Sequence, residues 1–255
     1  MGLPSVRLVV HAFARCPSIC HGRDEAAASV LRDALAQAWQ LTAHGCLSCS
    51  PACRLAGGVQ SAGPCVAGRT IARYGDATPG LLYCAGVLID AFPDARFVQL
   101  IRDGRDVMAG MLGDVGTLAW FQPGFANLDS EFPNPLLGVE NETDRAGWTR
   151  LSLAGKCAMR WRSAVRTSAR LRCTLSAQQL TTIHYEELVS KPETAAGMVS
   201  GFVGADVPAA ALRDAVPQAA PEPGAWRRAL SAEQAAEVDK IAGDELRRVG
   251  YGGGR

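Results

Sequence analysis

Apolar residues recur along the chain with two different periods, and the switches between them mark the elements. Val6 to Phe13 is a short β-rich run, and Asp24 to Trp39 repeats alanine, valine and leucine at helical spacing, which predicts a strand followed by a helix. From Leu41 to Gly68 the pattern dissolves into cysteine, glycine, serine and proline, the signature of a loop or insertion. Thr78-Pro79 sets a threonine N-cap before a proline at the first helical position and opens a helix through about Phe92, which Pro93-Asp94 ends. Phe97 to Ile101 reads as a fully buried strand and Asp103 to Met111 as the helix after it. Pro123, Pro133 and Pro135 punctuate a long segment that reads as a lid or substrate-facing insertion. Leu153 to Leu171 is a long helix carrying Trp161, and Leu180 to His184 is a second short strand. Ser231 and Gln234 have capping-box spacing, and Val238, Ile241, Ala242, Leu246 and Val249 mark one face of a closing helix that Gly250 stops.

Strands alternating with helices at these crossover lengths imply an α/β fold, with a mainly parallel sheet flanked by helices on both faces. A chain of 255 residues with 48% hydrophobic content fits one such domain. Charge adds little steering: 26 basic residues against 25 acidic ones leave +1, so no global field draws the protein to nucleic acid or a membrane, and anion binding has to be local. Only Lys156, Lys191 and Lys240 are lysines; nearly all the positive charge is arginine, whose planar fork grips phosphate bidentately. There is no run of about 18 apolar residues, and the stretch from Met1 shows no apolar signal region before Arg15 and Pro17, so a cytoplasmic location is expected.

Three segments carry candidate chemistry. In Arg96 to Asp106 a strand delivers Arg102 to its carboxyl end, and Gly104 lets the chain turn into a helix. Open α/β sheets bind ligands at that edge, where helix N-terminal amides favour anions. Structural ion pairs of Arg102 and Arg105 with Asp103, Asp106 or Asp94 are the competing account. Pro223-Gly-Ala-Trp-Arg-Arg228 is a glycine turn with an aromatic and two guanidiniums, able to fold over a phosphate or simply to bury its tryptophan. Ile183-His-Tyr-Glu-Glu-Leu188 ends a strand with Tyr185, either a purine platform or a core tyrosine.

Taken in chain order, these segments resemble the sulfotransferases that use 3′-phosphoadenosine 5′-phosphosulfate, particularly the bacterial members. Tyr74-Gly-Asp-Ala-Thr-Pro79, the corner with Arg102, Tyr185-Glu-Glu-Leu188, Gly224-Ala-Trp-Arg-Arg228 and Ala242-Gly-Asp-Glu-Leu246 carry the resemblance. It implies a P-loop NTPase-like three-layer domain around a short parallel sheet. It also implies transfer of a sulfuryl group to a hydroxyl or amine of a small metabolite or carbohydrate, with adenosine 3′,5′-bisphosphate as product. Arg102 would hold the 3′-phosphate, Tyr185 would lie near the adenine, and the turn with Gly224, Trp226, Arg227 and Arg228 would close over the same phosphate. Arg105 and Gly110 join the cofactor-binding set, Gly110 standing where the family places a serine, and Asp76 is the candidate base.

The chain also departs from the family's pattern. Where the family has a phosphate loop, Ala14 to Gly22 offers Pro17, Ser18 and a displaced Gly22; no lysine precedes Lys156, and Ala77 stands before Thr78-Pro79. The alternative is therefore a sulfotransferase-like protein that binds nucleotide or a partner without transfer. Cys46, Cys49, Cys53 and Cys65, with His44, supply enough ligands for zinc, but their spacing matches no standard pair of pairs, and no metal is assigned.

Overall fold

Two parallel strands and the helices around them make the described part of the chain α/β and mostly helical. The computed structural model describes residues 80–122, 128–129, 131–210 and 222–252, together with Ser29. The expectations for Val6–Phe13, Asp24–Trp39, the cysteine-rich stretch, Asp76 and Thr78-Pro79 lie outside the described residues. The chain divides into two compact units, Met1–Ala95 and Arg96–Arg255, where the sequence suggests one domain.

In the first unit a 3-10 turn, Leu81–Cys84, leads into α1, Ala85–Ala91, which buries Ala85, Val87 and Ala91. Phe92 ends the helix as expected, its amide donating to the Leu88 carbonyl at 2.8 Å.

The second unit begins with β1, Phe97–Ile101, paired in parallel with β2, Leu180–His184. The register sets Ile101 beside His184, so both strands deliver their following residues to the same edge. Strand β1 is not buried throughout. Gln99 bonds Ser168 of the long helix and Thr182 of β2, whereas the alternate residues Val98 and Leu100 are 41% and 54% exposed. A two-residue period puts them on the opposite face.

After β1 come α2, Gly104–Leu112, and a short α3, Val115–Leu118. Next are α4, Glu142–Trp148, and the long α5, Leu153–Thr174. Helices α6, Tyr185–Ser190, and α7, Pro192–Val203, follow β2. The short α8, Trp226–Ala229, precedes α9, Ala232–Arg248, which starts at the expected capping box of Ser231 and Gln234. Helix α5 buries Ala154, Cys157, Ala158, Trp161, Val165 and Ser168, one stripe at three- and four-residue steps. The closing helix presents Val238, Ala242 and Leu246, with Ile241 and Val249 at the margin of the same core. Burial pushes the Cys157 thiol up to about 12, so it behaves as a small apolar side chain.

Much of the proline-punctuated segment is core rather than lid. Phe121, Leu137, Val139 and Trp148 all join the cluster built on α5 and α9. Asn134 closes a tight loop, its side chain accepting from the Leu137 amide at 3.0 Å and its backbone bridging Val139. Gly138 at the tip has φ 83°, and a Cβ there would fall 2.2 Å from the Met159 carbonyl carbon and oxygen; only glycine lets the loop lie on α5. Among the described residues no helix is long and apolar enough to cross a membrane.

Candidate functional site

The strand ends bring the Arg96–Asp106 and Ile183–Leu188 segments together. Asp103 turns the chain out of β1 and caps α2, accepting from the Arg105 amide at 2.9 Å, while its own amide donates to Glu186 Oε1 at 3.0 Å. Gly104 has a different task from the one its sequence position suggests. It is the first residue of α2 with no positive φ, and the Trp161 indole packs where a Cβ would be, 2.6 Å from two ring carbons. The turn belongs to Asp103; the glycine makes room for the ring.

Asp106 joins the Pro223–Arg228 segment to the other two. Its carboxylate, on a residue only 3% exposed, accepts from the Gly224 amide at 2.7 Å and the Trp226 amide at 2.8 Å, more than a hundred residues away. Gly224 has φ 82°, and the turn it allows aims both amides at the same carboxylate. Arg102 lies 3.8 Å from Asp106 Oδ2 and holds its guanidinium 4.4 Å from the centre of the Tyr185 ring. Tyr185 is 7% exposed, so it is both a core tyrosine and a platform, and what it carries is Arg102.

Arg105 departs most from the expectation of direct ligand contact. Its guanidinium forks onto Asp103 at 3.0 and 2.8 Å, donates to the Tyr251 carbonyl at 3.0 Å, and lies 4.4 Å over the Trp226 ring. The Asp103 fork, against the cost of burial, raises its pKa above the ordinary guanidinium value. Its contribution to a site therefore runs through Trp226. Arg227 and Arg228 are exposed; the former lies 4.7 Å over the same indole, with Nη1 2.8 Å from where a Gly224 Cβ would stand, and the latter pairs with Glu222 at 3.4 Å. Gly110, on the exposed side of α2, has nothing within 4 Å of a Cβ position.

Four residues missing from the expected site complete the corner: Asp103 and Asp106, weighed only as ion-pair partners, Glu186 and Tyr251. Tyr251 hydroxyl donates to Glu186 Oε2 at 2.5 Å and stands 3.0 Å from His184 Nδ1. Burial, then the Glu186 contact, pushes the phenol pKa far above its usual value, so it stays a donor. The signal for Asp103 and Asp106 is their spacing, each one residue after an arginine at the mouth of a helix; Glu186 follows Tyr185, and nothing local marks Tyr251.

The buried corner thus sets two guanidiniums, Arg102 and Arg105, against three carboxylates, Asp103, Asp106 and Glu186. Outside that corner Arg227 and Arg228 are exposed, whereas the Arg102 side chain, beside Asp106, is only 16% exposed. The Trp226 Nε1, a buried donor in the turn, has no hydrogen-bond partner among the described residues. The described residues hold no cluster of three or more metal-ligating side chains, and Cys46 to Cys65 lies outside them. No protein-family model, no curated protein and no solved structure matches the chain.

Proposed function

We propose that this chain is a sulfotransferase of P-loop NTPase-like fold that uses 3′-phosphoadenosine 5′-phosphosulfate and acts on a hydroxyl or amine of a small metabolite or carbohydrate. The observation that carries the reading is the convergence on Asp106. The β1–α2 corner, the end of β2 and the Gly224–Arg228 turn, far apart in sequence, meet where the resemblance requires a single 3′-phosphate site. Chance pairing of an arginine with a neighbouring acid would not draw in the turn.

The chemistry of these residues suits a phosphate. Arg102 would hold a phosphate from the strand side, and Arg227 and Arg228 from the turn, with guanidinium forks matched to its oxygens. The unused Trp226 indole N–H is a further donor in the same turn. Tyr185 keeps the Arg102 guanidinium in place beneath the ligand. When bound, the nucleotide would supply the activated sulfuryl group for in-line attack by the acceptor, with Asp76, or another carboxylate or histidine, taking the acceptor proton.

Titration calorimetry with adenosine 3′,5′-bisphosphate tests the cofactor reading. Wild type should bind it far better than adenosine 5′-monophosphate, and Arg102→Ala should abolish the difference; a wild type that binds neither overturns the assignment. Transfer of labelled sulfate to an acceptor panel then separates an enzyme from the second reading, a nucleotide-binding protein without transfer. The second reading is favoured by Ala14 to Gly22, which lacks the family's phosphate-loop pattern, because charge stabilisation on the transferring group is most of what such an enzyme supplies.

A further inference from the structure

We propose that Tyr251, beyond the end of α9, is a positioning residue for the nucleotide site: its hydroxyl anchors it to the end of β2, and its carbonyl fixes the Arg105 guanidinium that supports Trp226. The inference rests on the reading of that corner as a 3′-phosphate site.

Tyr251 is held at three points. Its amide donates to the Leu246 carbonyl at 2.8 Å, its hydroxyl donates to Glu186 Oε2, and its carbonyl accepts from Arg105 Nη2 at 3.0 Å. The phenol has one proton, and Glu186 takes it. The 3.0 Å contact with His184 Nδ1 is therefore a bond the imidazole donates, which leaves Nε2 as the nitrogen facing away from the phenol. The rings also meet edge to face, with centroids 5.7 Å apart.

Glycines flank this residue. Gly250 has φ 92°, and Gly252 lies so close to Arg247 that a Cβ would be 2.3 Å from its Cγ. Glycine is conformationally permissive, so the Leu246 bond and the side-chain anchor together set where the Tyr251 carbonyl stands. From there the links run in a closed circuit. Arg105 forks onto Asp103, whose amide bonds the same Glu186 that receives the phenol, and Arg105 carries the indole whose amide is bound by Asp106. Removing the hydroxyl opens the circuit between Tyr251 and Glu186, yet the Gly224 turn is where the loss is read.

Tyr251→Phe keeps the ring and removes only the anchor. Adenosine 3′,5′-bisphosphate should bind about tenfold more weakly, the usual consequence of losing one hydrogen bond to a charged group, while adenosine 5′-monophosphate binding is unchanged. Trypsin, added to the native full-length protein without ligand, should cut after Arg227 or Arg228 several-fold faster than in wild type, while cleavage within α5 keeps its rate. Glu186→Gln, which retains an acceptor without the charge, should show the same pattern more weakly and serves if the phenylalanine variant does not fold. Unchanged affinity and unchanged cleavage at the turn overturn the proposal. Faster cleavage in a protein whose wild type binds no bisphosphate supports the anchor and rejects the nucleotide reading instead. Equal acceleration of every tryptic site would mean Tyr251 serves global stability alone, and that too overturns it.

Discussion

At the carboxyl ends of the strands, Asp103 and Asp106 accept from the backbone amides of Arg105, Gly224 and Trp226 besides meeting Arg105 and Arg102, whereas Glu140, just before α4, and Glu245 of α9 accept from side chains of α5. Glu140 takes Ser163 at 3.1 Å, Arg166 at 3.1 Å and Arg170 at 3.2 Å; Glu245, 2% exposed, takes Arg166 Nε at 2.7 Å, with Arg248 3.8 Å away. The chemistry is the same and the consequence is different. A carboxylate bonded to amides fixes the path of a turn; one bonded to guanidiniums fixes two helix faces that apolar packing already brings together. Damage to the first network should appear in ligand binding, and damage to the second in stability.

The largest effect is expected beside the second network. Gly138→Ala drives a Cβ into the Met159 carbonyl from a left-handed backbone, with no flexible side chain to yield. The cost is roughly 3 kcal/mol or more, enough to leave most of the protein insoluble or with a thermal midpoint lowered by about 10 °C. A soluble variant with an unchanged midpoint would show that the loop does not lie on α5.

A sharper contrast comes from one substitution in each network. Arg166→Met leaves Glu245 buried beside a more distant Arg248, a loss on the order of 3 kcal/mol. It should lower the melting temperature while leaving bisphosphate affinity within about twofold. Asp106→Asn keeps the shape but turns one acceptor into a donor facing the Gly224 or Trp226 amide, at a cost of about 1–3 kcal/mol. Its affinity should fall more than tenfold, the loss in stability being equal to or smaller than that of Arg166→Met. If the two variants lose stability and affinity in the same proportion, the distinction between the networks fails.

What could be read in the sequence divides along the same line. Periodicity located β1, β2, α5 and α9, because an apolar stripe records which side of an element is buried, and the capping box of Ser231 and Gln234 located a start. It did not separate Val98 and Leu100 from the less exposed Phe97, Gln99 and Ile101, since an apolar run broken only by Gln99 carries no clear period. Nor did it find α4, or show that Leu137 and Val139 belong to the core, because the prolines around them look like those of a surface loop. For the site, the segments were legible but their wiring was not. Arg105 and Arg102 look alike in sequence, and only the fold sets one on Asp103 and the Tyr251 carbonyl and the other beside Asp106 and over the Tyr185 ring. A bond such as Asp106 to Gly224 spans 118 positions and leaves no local mark.

Gly110 offers the gentlest test of the first network because it asks for a gain. It lies eight residues after Arg102 on the exposed side of α2, where the resemblance places a serine, and a Cβ there meets nothing within 4 Å. Gly110→Ser costs no packing and replaces the poorer helix former, so stability should rise by about 0.5 kcal/mol. If the rim of Arg102 and the Gly224 turn holds a 3′-phosphate, the hydroxyl adds a donor to it, and adenosine 3′,5′-bisphosphate should bind about three- to tenfold more tightly. Adenosine 5′-monophosphate, which lacks that phosphate, should gain nothing. A variant that is more stable and gains no affinity would place Gly110 outside the ligand's reach and move the phosphate toward Arg227 and Arg228. Equal gains for both nucleotides would argue that the hydroxyl stiffens α2 rather than touching the ligand.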